Sequence, residues 1–190
     1  MSHNIEAIVI GASAGAFTAL KVILPQLPAN YPLPIVIVVH LVRDQPSMLT
    51  ELLQRDCRLS IKEAQDKESL APGVVYFAPP DYHLLIENNK SLSLSSDEPV
   101  LYSRPSIDVL FETAADSFRE KLLGIVLTGA NSDGAKGLKR VEQLGGMVIV
   151  QDPHDADVNI MPLSAINACQ NPRILNLNSI IDFLTGELIS

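Results

Sequence analysis

The sequence lacks several features that mark large classes of protein. Its 190 residues include no tryptophan, only two cysteines and no long apolar run. Cys57 and Cys169 lie far apart and form no CxxC pattern, which predicts neither a disulfide framework nor a zinc site. The apolar stretches fall short of the roughly 18 residues that a membrane span needs. No charged region with a cleavage site precedes the first apolar run, so we expect a cytoplasmic protein without a signal peptide or membrane insertion.

Basic residues are also scarce, and the formal net charge is -8. Nucleic-acid binding needs clustered lysine and arginine side chains, which this sequence does not show, so we predict no nucleic-acid partner. The hydrophobic content of 47% is enough, at this length, for one sizeable core. We therefore expect a single domain over residues 1–190, while the sequence carries no signal for an oligomeric state.

Short apolar runs alternate with helical patterns along most of the chain. Such alternation predicts an α/β fold with a doubly wound, mostly parallel sheet, helices on both faces and a Rossmann-like architecture. One antiparallel hairpin, formed by residues 83–87 and 91–95 around an Asn-Asn-Lys turn, interrupts the rhythm. The predicted strands are Ile5–Ile10, Ile35–Val39, Val74–Phe77, Leu122–Leu127 and Met147–Val150, and the predicted helices are Phe17–Leu27, Met48–Arg55, Ile107–Phe118, Gly134–Leu144 and Ser179–Leu188.

Three chemically complementary residues follow predicted strands. Ser13 follows the first, inside a Gly-x-Ser-x-Gly turn, His40 follows the second, and Asp133 lies in the loop after Leu122–Leu127. Ligands of open parallel sheets bind beyond the carboxyl ends of the strands. A serine hydroxyl needs a neighbouring base, and an imidazole base needs an orienting carboxylate. The three residues thus predict a site for nucleophilic catalysis, in which amides at the start of the following helix could stabilise an oxyanion.

Each residue also has an ordinary structural explanation. The glycine-flanked serine could be a simple tight turn, His40 could only end a strand, and Asp133 could be the N-cap of the next helix. A nucleotide-binding oxidoreductase is an alternative interpretation of the glycine-rich turn. That class needs a Tyr-x-x-x-Lys pair for proton transfer, which is absent here, and the second strand ends in histidine rather than in an acidic ribose ligand. A general α/β-hydrolase would place its residues in the order Ser, Asp, His, whereas here the order is Ser, His, Asp.

Five ordered motifs, together with the strand that ends at His40, resemble the catalytic domain of the chemotaxis methylesterases of the CheB family. The similarity extends over essentially the whole chain. The motifs are IVIGASAG at 8–15, YFAPPDYHLL at 76–85, SRPSIDVLF at 103–111, LTGANSDGA at 127–135 and GGMVIVQDP at 145–153.

The resemblance implies a role for each residue of the trio. Ser13 corresponds to the nucleophile, His40 to the general base and Asp133 to the residue that orients His40. The backbone amides of Ala14 and Ala130 would form the oxyanion hole. The family hydrolyses methyl esters of glutamate on the helical cytoplasmic part of chemoreceptors and releases methanol, and some members deamidate glutamine. No metal and no organic cofactor is implied.

Further residues of the motifs, and some departures from the family pattern, bear on the substrate. Tyr82, Arg104 and Asp108 fall in family-like motifs and could line the substrate cleft, although Asp108 in the first turn of a helix is equally well explained by the helix dipole. Ala16 stands where the family usually has a further glycine, and Ala130 stands where many members have a larger methionine. The family commonly carries an N-terminal receiver domain, which we do not expect here. A catalytically silent receptor-binding module and a serine esterase with another substrate remain alternatives.

Overall fold

The computed structural model describes residues 4–40 and 46–189. Within these ranges the chain forms nine strands and six α-helices. The strands are β1 Ala7–Ala12, β2 Ile35–Val39, β3 Ser60–Glu63, β4 Val74–Phe77, β5 His83–Ile86, β6 Leu92–Ser95, β7 Leu122–Val126, β8 Met147–Gln151 and β9 Arg173–Leu175. The helices are α1 Ala16–Ile23, α2 Pro46–Gln54, α3 Ile107–Phe118, α4 Ala135–Gln143, α5 Ile160–Ala168 and α6 Leu177–Asp182.

Seven strands form one sheet in the order β3-β4-β2-β1-β7-β8-β9, and every neighbouring pair is parallel. Strands β5 and β6 form a separate antiparallel pair. The predicted doubly wound α/β fold is therefore confirmed. Because β2 and β7 flank β1 on opposite sides, the chain changes winding direction at β1, and the carboxyl ends of these three strands meet at one edge.

The central strands are buried on both faces, as their uninterrupted apolar sequences predict. In β1, Ile8 and Ile10 pack into a core layer with Leu20 of α1 and with buried residues between Ile180 and Leu188. Ala7 and Val9 point to the opposite layer, where Phe111 of α3 lies. This alternation follows from the two-residue period of a strand and encloses the sheet between two helical layers.

The structure contains two strands and one helix that the sequence analysis did not predict. Strands β3 and β9 are short, mixed in polarity and placed at the two edges of the sheet, where Ile61 is the one buried residue of β3 and no residue of β9 is buried. Helix α5 carries Pro162 in its first turn, a position that tolerates proline because no intrahelical N–H is needed there. Edge position and an early proline weaken the periodicity on which sequence prediction depends.

A missing side chain at Gly11 allows α3 to approach the carboxyl end of β1. A Cβ atom on Gly11 would lie 2.3 Å from Cγ2 of Ile107, so a larger residue would require the Ile107 side chain or its helix to shift. The same approach brings the first turn of α3 to the edge where β1, β2 and β7 end. None of the helices in the described part of the chain is long and apolar enough to cross a membrane.

Candidate active site

The first two residues of the predicted trio are neighbours at the sheet edge. Ser13 directly follows β1 and His40 directly follows β2. Ala12 pairs with Val39 in the parallel register, and the His40 N–H donates to the Ala12 carbonyl at 3.1 Å. Adjacent strands lie about 4.8 Å apart, so the register itself places the serine and the histidine side by side.

Asp133 reaches His40 from the loop between β7 and α4. His40 Nε2 lies 2.7 Å from Asp133 Oδ2, and the two side chains are 12% and 0% exposed. A contact this short between an imidazole nitrogen and a buried carboxylate is a strong, oriented hydrogen bond. It fixes which of the two ring nitrogens faces the carboxylate and leaves Nδ1 for other partners.

The N-terminus of α3 binds the Asp133 carboxylate. Ile107 N donates to Oδ2 at 2.7 Å, while Asp108 N and Ser106 Oγ each donate to Oδ1 at 2.9 Å. Together with His40, these groups give the carboxylate four donors at the positive end of a helix dipole. Burial would raise the pKa of Asp133, but the hydrogen bonds from His40, Asp108 and Ile107 outweigh burial and lower the pKa below its ordinary value.

His83 anchors the start of α3 from the hairpin. Its buried ring accepts a hydrogen bond from Ser106 N at Nδ1, 3.1 Å away, and its Nε2 lies 3.0 Å from the Glu98 carbonyl. The carbonyl can only accept, so Nε2 carries the proton. Through Ser106, His83 helps to fix the helix turn that holds Asp133, which agrees with a structural function for this histidine.

Asp108 faces the interior rather than the cleft. The residue is 5% exposed, and its Oδ1 accepts from Gly134 N at 3.0 Å and from Gly137 N at 2.7 Å. Burial, reinforced by the nearby Asp133 charge, raises the pKa of Asp108 to about 6, although these amides oppose the rise. This geometry gives Asp108 no surface from which to contact a substrate, in contrast to the expectation that it could line the cleft.

The turn that carries Ser13 is held in shape by Gly15 and Thr128. Gly15 has a φ of 83°, in the left-handed region that favours glycine, and a Cβ there would lie 2.9 Å from Thr128 Oγ1. The Thr128 hydroxyl lies 2.8 Å from the Ala14 carbonyl. Neither Ala14 N nor Ala130 N donates to an acceptor within residues 4–40 and 46–189. Both backbone amides are therefore without an acceptor in this part of the chain.

Asn131 is the second side chain that contacts the His40 imidazole. Its Nδ2 lies 3.2 Å from His40 Nδ1, while its Oδ1 accepts from Asp133 N at 3.0 Å. In the described parts of the chain, Ser13 Oγ makes no hydrogen bond with His40, whose two nitrogens contact Asp133 and Asn131. Catalytic hydrogen bonds are often open in a ligand-free site and form only when substrate is bound.

A cleft of about 120 Å³ opens over the imidazole. It is wide enough for one side chain but not for a folded segment. Arg104 lies in its wall and donates from Nη1 to the carbonyls of Ser96 and Asp97. Tyr82, which we also expected at the cleft, is 45% exposed and follows a residue of the wall. The lining residues are His40, Asp81, Pro99, Tyr102, Ser103, Arg104 and Pro105.

The site contains two residues that the sequence analysis did not single out. Ser106 could have been found from its position before Ile107, because serine at an N-cap marks a helix start, and its side chain does accept from Val109 N. Its second contact, to Asp133, joins residues 27 positions apart and has no local signal. Asn131 stood within a quoted motif, but nothing in the sequence indicated that its amide faces the imidazole.

A doubly wound sheet that brings a serine, a histidine and a buried aspartate to one edge has the arrangement of a serine hydrolase. The CheB methylesterase family model matches residues 8–184. The chain belongs to the CheB methylesterase family.

Individual relatives agree with this assignment. A Leptospira interrogans protein, provisionally named a protein-glutamate methylesterase/protein-glutamine glutaminase, is 51% identical over 94% of this chain and 93% of its own length. A Carboxydothermus hydrogenoformans protein with that double name is 38% identical, over 96% of this chain and 55% of the relative. The crystal structure of the Thermotoga maritima CheB methylesterase catalytic domain superposes with a TM-score of 0.89 at 34% identity, covering 95% of this chain and 97% of that one.

Proposed function

We propose that this chain is a serine hydrolase that removes methyl esters from glutamate side chains on the cytoplasmic helical domain of chemoreceptors and releases methanol. The same site would deamidate receptor glutamines, with ammonia as the leaving group. The proposal includes a cytoplasmic location and one catalytic domain over residues 1–190. The observation that carries it is the 2.7 Å contact between His40 Nε2 and Asp133, beside the serine turn at the same sheet edge.

Each group has one step in the proposed reaction. Because Nε2 is bound to Asp133, His40 uses Nδ1 as the general base and accepts the proton of Ser13 while Oγ attacks the ester carbonyl. The carbonyl oxygen gains negative charge and is stabilised by the amides of Ala14 and Ala130, each worth about 3 kcal/mol in comparable sites. His40 then returns the proton to the departing methanol. A water molecule, deprotonated by the same nitrogen, releases the glutamate product and restores the Ser13 hydroxyl.

The cleft supports a substrate that presents one side chain at a time. Its lining includes His40 but not Ser13, so the glutamyl side chain would pass along this cleft to reach the serine, while the polypeptide that carries it would lie across the rim. Arg104 and Tyr82 are the rim residues that we propose for substrate contact. Arg104 already donates to two backbone carbonyls, which would hold its guanidinium group in a fixed position.

Ser13→Ala tests the assigned nucleophile in a methanol-release assay on a methylated receptor fragment. We expect the rate to fall by at least about 10³-fold, because loss of a triad nucleophile leaves only binding and oxyanion stabilisation. Ser179→Ala makes the same chemical change in α6, which follows the outermost strand β9 rather than β1, β2 or β7, and should leave the rate unchanged.

Near-normal methanol release by Ser13→Ala would contradict the nucleophile. A wild-type protein that cleaves other esters but not methylated receptors would indicate a serine esterase with a different substrate. A wild-type protein that binds receptors without turnover would indicate a silent binding module.

A further inference from the structure

Both ring nitrogens of His40 have a partner in this structure. Nε2 faces Asp133 at 2.7 Å, and Nδ1 faces the Asn131 amide nitrogen at 3.2 Å. The orientation of that amide is determined by its other end, because Asn131 Oδ1 accepts from Asp133 N at 3.0 Å. An amide nitrogen can only donate, so His40 Nδ1 is the acceptor and the ring proton lies on Nε2.

The Asn131 amide therefore occupies the His40 Nδ1 lone pair that would have to accept the Ser13 proton. In the proposed reaction, Nδ1 accepts the proton of the serine hydroxyl, yet this lone pair already accepts from Asn131. We propose that Asn131 is a positioning residue that occupies the general-base nitrogen of His40 in the resting site and gives way to the Ser13 hydroxyl when substrate binds. This inference rests on the proposed function, since only that reaction requires Nδ1 as the base.

The two bonds to the ring differ in a way that suits this exchange. The Asp133 bond is short and involves a fully buried carboxylate, whereas the Asn131 bond is longer, joins two neutral groups and comes from a partly exposed loop residue. The weaker bond is the one that a substrate can displace. While it lasts, Asn131 keeps the ring in the tautomer whose basic nitrogen points away from Asp133.

Two substitutions separate this role from simple support of the loop. Asn131→Asp keeps the side-chain shape and an oxygen for Asp133 N, but replaces the donor at His40 Nδ1 with an anionic acceptor. That acceptor would hold a proton on Nδ1 and remove the base. Asn131→Ala removes both contacts and leaves Nδ1 free for Ser13.

On a methylated receptor fragment we expect Asn131→Asp to lower kcat by at least about 10²-fold, the lower bound for loss of a general base, with little change in KM. Asn131→Ala should lower kcat less than Asn131→Asp does, because Ser13 can still reach the unoccupied nitrogen. If Asn131 only supports the loop, the order reverses, since Asn131→Asp preserves the bond to Asp133 N. That reversed order would overturn the proposal.

An NMR measurement gives a result that does not depend on turnover. In ¹⁵N-histidine-labelled protein, His40 Nδ1 should report as an unprotonated acceptor in the wild type and as a protonated nitrogen in Asn131→Asp. If the Nδ1 signal of Asn131→Asp were the same as that of the wild type, the positioning role would be contradicted even if the enzyme is active. Absence of methanol release by the wild type, with the expected NMR shifts, would instead reject the proposed function and leave the Asn131 contact intact.

Discussion

Two buried aspartates lie beside each other where α3 and α4 begin, and each serves the other's helix. Asp133, just before α4, accepts from amides at the start of α3, while Asp108, inside α3, accepts from Gly134 and Gly137 at the start of α4. Their surroundings nevertheless move their acidities apart. Burial raises the pKa of Asp108 to about 6, whereas the donors around Asp133, His40 among them, lower its pKa.

Both carboxylates are buried, so the opposite directions of their pKa shifts follow from the hydrogen-bond donors and charges beside each one. Asp133 has four donors spread over both oxygens, and Asp108 has two amides on one oxygen. Only Asp133 also reaches the cleft through an imidazole. Asp108 therefore stabilises the start of α4, whereas Asp133 both binds the start of α3 and supplies an ionised partner for His40.

The largest expected effect comes from replacing the carboxylate that contacts His40. Asp133→Asn keeps the side-chain shape but cannot accept through both oxygens, so the imidazole loses its orienting partner. We expect kcat for methanol release to fall about 10³- to 10⁴-fold, as in other triads with this change. Asp108→Asn is the matched control and should remain within about 10-fold of the wild type, because its side chain touches no reacting group. Equal losses in the two variants would remove the distinction between the two aspartates.

A smaller effect is expected in the pH dependence of stability. Asp108 has a pKa of about 6 in the folded chain against an ordinary value of 3.8, so the folded protein binds its proton more tightly. The resulting stabilisation is complete below the unfolded pKa and is lost as the pH rises through about 6. Relative to Asp108→Asn, the wild-type free energy of unfolding should therefore be about 1 kcal/mol higher at pH 5 than at pH 7.

Urea unfolding of both proteins at the two pH values measures this difference. The other titrating groups are shared, so their contributions cancel in the comparison. A difference that is independent of pH, or larger at pH 7 than at pH 5, would show that Asp108 titrates in its ordinary range.

The sequence predicted the central elements better than the edges. The predicted bounds are correct for Ile35–Val39, Val74–Phe77 and Ile107–Phe118, because a clear apolar pattern runs along each of these elements. Strands β3 and β9 lie at the edges of the sheet, and half-exposed residues there give no continuous apolar run. Strand β1 begins at Ala7, two residues after the predicted start at Ile5, a shift of the size that element boundaries commonly show.

For the site, the sequence indicated the serine, the histidine and the aspartate because each lies just beyond a predicted strand or in the loop that follows one. Their catalytic roles stay predictions. The network that holds Asp133 could not be predicted, since it depends on how closely α3 approaches β1. That approach is set by the space at Gly11, where a Cβ would collide with Ile107, and such a fit becomes apparent only in three dimensions.

The central claim is that Asp133, and not Asp108, holds the His40 imidazole. The most direct test is the proton NMR signal of His40 Nε2–H, assigned in ¹⁵N-histidine-labelled protein by its loss in His40→Gln. The account predicts a strongly downfield, solvent-protected proton that persists in Asp108→Asn and disappears or moves upfield in Asp133→Asn. A ring proton found on Nδ1, or a signal that is the same in all three proteins, would contradict it.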